Sequence, residues 1–388
     1  MKKILAIALA LVMIFALVAC NSGSDNSNAP DNSGSSTTGN NSSNSSSGGN
    51  TGSTGGAEVY ELALITDLGT IDDRSFNQGA WEGLVQYATE NNISHKYYQP
   101  ADQGDDAYLN AIDLAVQGGA TVVVTPGFLF EVPIFYAQDR YPNVSFILLD
   151  GEPHDEDYGE FKIGSNTVAV YYAEEQSGFL AGYAAVMDGY RNLGFMGGMA
   201  VPAVIRFGHG YVQGAEVAAQ ELNLPAGSIP INYYYTGTFA PAPEIQTMAA
   251  AWYNDGVEVI FSCGGGICFS IFPAAEQSNN VVIGVDGDQS GESATVVTSA
   301  MKLLTKSVYD CLTDFYANRF PGGQSLLFSA ANLGVGLPMD TSKFNTFTQA
   351  QYDTIYARLQ GGAIVVDNNI DINPDDLPAT AVVVNYLG

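Results

Sequence analysis

Short apolar runs recur along this chain at intervals that helices fill, and that alternation restricts the fold more than any other feature. Residues 59–66, 121–125 and 144–149 are apolar on nearly every position rather than on alternate ones. A strand buried on both faces belongs in a parallel sheet, and parallel neighbours need a crossover, usually helical, between them. The helices are present. Residues 75–91 place Phe76, Ala80, Leu84, Tyr87 and Ala88 at helical spacing. Residues 105–117 end at Gly118-Gly119, a helix stop, and residues 132–139 form a third helix. A further strand is expected near 94–98. The pattern then restarts: helix 168–187, strand 192–196, helix 206–222, strand 229–235, helix 242–254, strand 257–262, short helix 271–277 and strand 281–285. Strand 295–298, helix 300–318 and less regular strands follow. Two consecutive units of this kind predict an α/β fold of two Rossmann-like lobes. A tail that returns after both are complete predicts that the chain crosses between them more than once.

The N-terminal segment does not share this pattern. Lys2 and Lys3 precede an unbroken apolar run from Ile4 to Val18, followed by Ala19-Cys20. The run has signal-peptide length and is short for a membrane span. The ending Leu17-Val18-Ala19-Cys20 resembles a bacterial lipobox, in which the cysteine is lipidated. Of the 36 residues from 21 to 56, 32 are Asn, Ser, Gly or Thr, too polar to fold. As a flexible coil they span on the order of 35 Å. A lipidated cysteine with such a tether implies a globular domain held off a membrane, and the tether's length favours a Gram-positive surface. The expected organisation is a signal peptide over 1–20 and a tether over 21–57. The first lobe is expected from 58–165 plus about 290–330, and the second from about 166–289 plus 331–388.

Lys and Arg number 13 against 41 Asp and Glu, a net charge of −28. That balance argues against nucleic acid and anionic lipid surfaces as partners. Cys263, Cys268 and Cys311 remain beside Cys20. Cys263 and Cys268 either pair or stay free, and with no CxxC and three scattered histidines no zinc site is expected. Phosphate-loop, GxSxG and HExxH motifs are lacking. No catalysis and no cofactor are expected.

In open parallel sheets, ligands bind beyond the carboxyl ends of the strands. Three strands end in Asp: Asp67, Asp150 and Asp286. A fourth is followed by Gly264-Gly265-Gly266, whose backbone could approach a ligand closely. Asp67, Asp72, Asp73 and Asn77 cluster around Phe76 at the first strand–helix junction. Carboxylates accept bonds from vicinal hydroxyls, an Asn offers donor and acceptor to a heterocycle edge, and Phe76 offers a flat face. Phe239 follows a strand of the second lobe. Lys302 and Lys306 either reach a ligand or cleft carboxylate, or lie on a solvated helix face.

The segments Ile65-Thr66-Asp67-Leu68-Gly69 and Asp72-Asp73-Arg74-Ser75-Phe76-Asn77-Gln78-Gly79 resemble the basic membrane protein family, the purine nucleoside receptor A-like lipoproteins. Residues 197–202 leading to Arg206-Phe207, the segment Tyr235-Thr236-Gly237-Thr238-Phe239, residues 283–289 and residues 298–302 follow in the family's order. The resemblance covers Glu58 to the C-terminus. It implies a type I periplasmic-binding-protein fold with multiple hinge crossovers and a nucleoside between the lobes. It also implies an ABC permease and ATPase as partners, delivery from the extracytoplasmic face of a membrane, and a monomer. By the same resemblance Asp67, Asp286 and Lys302 hold the ribose. Phe76 stacks on the base, Asn77 and Asp150 bond its edge, and Gly265 lies in the ligand loop. Phe239 is the expected opposing ring, with Phe207 as rival. A sugar or other small metabolite is the alternative ligand, and a surface sensor on the same fold is the alternative role.

Overall fold

The computed structural model describes residues 59–388, and residues 56–388 form one compact unit. The chain begins β1 (Leu62–Ile65), α1 (Phe76–Asn91), β2 (His95–Tyr98), α2 (Asp105–Gln117), β3 (Val122–Pro126), α3 (Glu131–Arg140), β4 (Ser145–Leu149) and β5 (Thr167–Tyr172). It continues α4 (Glu174–Met187), β6 (Leu193–Gly197), α5 (Pro202–Glu221), β7 (Ile229–Tyr235), α6 (Pro243–Asn254), β8 (Val259–Cys263), α7 (Cys268–Ser278), β9 (Val281–Asp286) and β10 (Val296–Lys302). It closes α8 (Leu304–Tyr316), β11 (Gln324–Phe328), β12 (Val335–Gly336), α9 (Gln349–Gln360) and β13 (Val382–Tyr386).

Two sheets result. The first runs β11-β5-β4-β3-β1-β2 and is parallel throughout. The second runs β12-β10-β9-β8-β6-β7-β13 and is parallel except for the short β12. The interior strands are buried at every position of β1, β3, β6 and β8, as helices on both faces require.

Two expectations are corrected. The predicted helix over 168–187 is a strand followed by a helix. Thr167-Val168-Ala169-Val170-Tyr171-Tyr172 is rich in β-branched and aromatic residues, which fit a pleated surface, and it inserts between β4 and β11. Likewise the strand begun at 295–298 continues to Lys302, so Lys302 ends a strand rather than opening a helix. The crossings between the sheets therefore fall at Ala173, Leu303 and the residues after Phe328, as sheet membership and the packing of α8 on α1 show. This moves β5 into the first lobe and β10 into the second, against boundaries expected near 166 and 290.

Helices α4 and α5 pack with their backbones almost touching. Both carry Gly-x-x-x-Gly, at Gly178/Gly182 and Gly210/Gly214. A Cβ at Gly178 would lie 2.0 Å from the carbonyl oxygen of Phe207, and one at Gly182 2.0 Å from that of Tyr211. This closeness sets the start of α4 beside the start of α5, which brings Glu174 to Arg206. Cys263, Cys268 and Cys311 are free and buried, and Cys20 and the tether lie outside the described residues.

Candidate ligand-binding site

The site is built where the carboxyl ends of the two sheets face each other. Asp150 follows β4 and Asp286 ends β9, in equivalent places of the two lobes. Both adopt left-handed backbone, φ 56° and 64°, a conformation that is strained for a non-glycine residue and that clusters at functional positions. Lys302, last residue of β10, lies between them. Its Nζ donates to Asp150 Oδ2 at 2.5 Å and lies 3.6 Å from Asp286 Oδ1 and 3.8 Å from Glu174 Oε1. Only 4% of Lys302 is exposed. Burial opposes its charge, but Asp150, Asp286 and Glu174 outweigh burial and hold the ammonium above its ordinary pKa.

Three rings surround the same ammonium: Phe76 at 4.4 Å, Tyr172 at 5.5 Å and Phe207 at 5.7 Å. Tyr172 is fixed by a hydrogen bond to Ser307. Glu174, fully buried, accepts from Arg206 Nε at 2.7 Å through Oε2. Its Oε1 and Asp150 Oδ1 are buried without a hydrogen-bond partner. Burial first, then the neighbouring Asp150 charge, push the Glu174 carboxyl up to about 7, against the lowering by Arg206 and Lys302. Buried carboxylate oxygens without a partner can accept from hydroxyl or ring N–H donors of a ligand.

The first strand–helix junction has another task. Asp73 accepts from the backbone N–H groups of Ser75, Asn77 and Gln78 and so caps α1. The Asn77 amide donates to Asp67 Oδ1 at 2.8 Å and Asp73 Oδ2 at 2.9 Å, and its oxygen accepts from Asp67 N–H. Asn77 is buried, and both its amide hydrogens are used within the loop. Asp67 also accepts from Gly69 N–H, and burial raises its carboxyl to about 6 despite these bonds. Asp72 is exposed and accepts from Thr70. Ser75 reaches across the lobes, its Oγ donating to Asp286 Oδ2 at 2.5 Å.

Among the sequence-predicted residues, the structure thus brings Phe76, Asp150, Asp286 and Lys302 together. Asp67 and Asn77 lie behind them in the α1 turn. Phe239 packs over Gly198, and Gly265, at φ 55°, lies against the Phe239 carbonyl. The second-lobe ring facing Lys302 is Phe207. Lys306 pairs with Asp310 on α8. Sequence reasoning missed Tyr172, Glu174 and Arg206 as neighbours of Lys302. Glu174-Glu175 directly after an apolar strand was a signal, because two acids entering a helix that is otherwise apolar need a buried partner. A cavity of about 580 Å³ borders Ser75, Asp286 and Lys302.

Two parallel α/β lobes closing on a buried polar and aromatic centre define a solute-binding protein of the type I periplasmic fold. An ABC transporter solute-binding protein from Conexibacter woesei matches with a TM-score of 0.65 at 22% identity, over 80% of this chain and 99% of its own. One from Aeropyrum pernix K1 matches with 0.63 at 21%, over 80% and 88%. The sequence profile of the Bmp family, described as ABC transporter substrate-binding protein PnrA-like, matches residues 60–360, and the chain belongs to that family. Its relatives include the ABC transporter nucleoside-binding protein BmpA of Lactococcus lactis subsp. cremoris, 30% identical over 72% of this chain and 82% of that protein. Basic membrane protein A1 of Borrelia garinii subsp. bavariensis is 26% identical over 81% and 90%.

Proposed function

We propose that this substrate-binding protein captures nucleosides, with purine nucleosides foremost, and presents them to an ABC permease from a lipid anchor on Cys20. The observation that carries the ligand class is the centre on Lys302. It joins two carboxylates, Asp150 and Asp286, to two rings from opposite lobes, Phe76 and Phe207. A nucleoside needs that combination: carboxylates for vicinal ribose hydroxyls and a base edge, and flat faces for the base. Asp286, tied to Lys302 and Ser75, is suited to hydroxyls. Asp150, with its unpartnered Oδ1, is suited to an N–H donor of the base. The nucleoside-binding relative supports the same class. The anchor rests on the sequence of residues 1–20.

Calorimetry on residues 56–388 after unfolding and refolding to strip bound ligand tests the reading. Inosine and adenosine are expected to bind, and free hypoxanthine and ribose much more weakly. Phe76→Ala is expected to cost about 1–3 kcal/mol for every nucleoside, the scale of base–aromatic stacking. Asp286→Asn is expected to cost about 1.5–3 kcal/mol, the scale of hydrogen bonds to charged groups. Equal affinity for base and nucleoside would refute the ribose assignment, and binding of a sugar alone would replace it.

A further inference from the structure

The Lys302 centre is closed, so a ligand enters or leaves only when the lobes part. One contact across the seam is made by protein to protein without any residue of the aromatic centre. Gln289, in the loop between β9 and β10 of the second lobe, is 1% exposed. Its Nε2 donates to the carbonyl oxygen of Arg74 in the first lobe at 2.9 Å. Everything else about Gln289 is fixed from its own side. Its Oε1 accepts from Val285 N–H at 3.2 Å, and its backbone N–H donates to Ser299 Oγ at 3.0 Å. Room for this is left by Gly284, where a Cβ would lie 2.5 Å from Gln289 Oε1.

The receiving turn is equally rigid. Asp73 holds Ser75, Asn77 and Gln78 by their backbone N–H groups. Arg74 sits at φ 58°, a left-handed conformation unusual for a non-glycine residue, and that turn aims its carbonyl at the second lobe. Ser75 adds its bond to Asp286. Arg74 Nε lies 3.5 Å from Glu292 Oε2, a half-exposed pair that adds little. The cavity of about 580 Å³ is lined by Arg74, Ser75, Asp286 and Glu292, while Gln289 and Ser75 are themselves buried in the seam, so opening must break their contacts.

We propose that Gln289 and the Arg74 carbonyl form a closure latch: two preformed surfaces, one per lobe, whose hydrogen bond holds the lobes shut without touching what is bound. The latch favours the closed state, and because ligand passes only through the open state it slows release and does not speed capture. Gln289 is a positioning residue that touches no ligand. The effect on release rests on the reading that ligand sits at the Lys302 centre; the effect on closure does not.

The test uses residues 56–388 with spin labels on Thr89→Cys in α1 and Glu244→Cys in α6, both exposed, the native thiols being buried. Electron–electron distances are measured in stripped, ligand-free protein, and inosine release is followed by stopped flow. Gln289→Met keeps the side-chain volume and loses the donor to Arg74 together with the acceptor for Val285 N–H. Gln289→Glu loses the donor but keeps an acceptor for Val285 N–H, and decides the matter should the Met variant not fold. Either variant is expected to shift the ligand-free distances toward the open state. Release is expected to accelerate by about five- to tenfold, the loss of a buried hydrogen bond, with association within about threefold of the parent. Unchanged distances overturn the latch. Shifted distances with unchanged release overturn its role in residence time. Should inosine not bind the parent, the nucleoside reading fails while the distances still decide the latch.

Discussion

Replacing Lys302 by Met should damage the protein in a way that only its buried charge explains. Methionine nearly matches the volume, so little packing is lost. What goes is the cation within 2.5, 3.6 and 3.8 Å of Asp150, Asp286 and Glu174. Arg206 remains, but it is committed to Glu174. Removing one member of a buried ion pair costs about 3–5 kcal/mol, because the other charge stays buried and uncompensated. Here Asp150 is the residue stranded most completely. Urea unfolding near neutral pH should show that deficit through the midpoint at constant slope. The deficit should shrink near pH 5. Without the ammonium, the buried carboxylates take up protons in the folded state before the unfolded state does, so acidification favours the folded variant. Adding Asp150→Asn should recover much of the loss, since a neutral amide no longer needs the cation. A deficit under about 1 kcal/mol, or one that is the same near pH 5 as near neutrality, would refute the reasoning.

Three further outcomes are expected. Gly182→Ala should cost about 1–3 kcal/mol or more, the range for overpacking, because its Cβ would lie 2.0 Å from the Tyr211 carbonyl oxygen. Gly291→Ala, with nothing within 4 Å, is the control in the same urea series. Glu174→Gln should gain on the parent as pH rises from about 4.5 to 7. The parent carboxyl is raised from 4.5 to about 7 on folding, so the folded state holds the extra proton in that window and the parent loses stability across it. The relative gain is on the order of 3 kcal/mol, read from unfolding curves at several pH values. Cys20→Ser should release the protein from cells into the medium, because acyl chains are what hold such a protein to a membrane; fractionation that leaves the variant with the membranes would refute the anchor.

Most elements were legible in the sequence because buried parallel strands and amphipathic helices carry their own local patterns. Runs such as residues 121–125 and 144–149, and the helical repeat through Phe76, Leu84 and Ala88, needed no partner to be read. The Asp residues that follow β1 and β4 and end β9 were legible too, because strand ends and their turns are local features; Asp150 and Asp286 meet at Lys302, while Asp67 is held by Asn77 and Gly69. The error over 168–187 has a physical cause as well. A six-residue apolar run beside an apolar helix has no period of its own, and only the gap between β4 and β11 decides that it is a strand.

The site itself needed tertiary structure. Lys302 became central because β10 pairs with β9 in the second sheet while Asp150 ends β4 in the first, residues 152 positions apart in sequence. The same closure chose Phe207 to face Lys302 and left Phe239 over Gly198. Asn77 is turned inward locally, since Asp67 and Asp73 converge on it from the same loop. Charge pairing and desolvation depend on distance in space, which no local pattern encodes. The sequence determined most of the strands and helices and the acids at the strand ends. Which of those acids would be buried, paired and left with a free oxygen was decided only when the two sheets met.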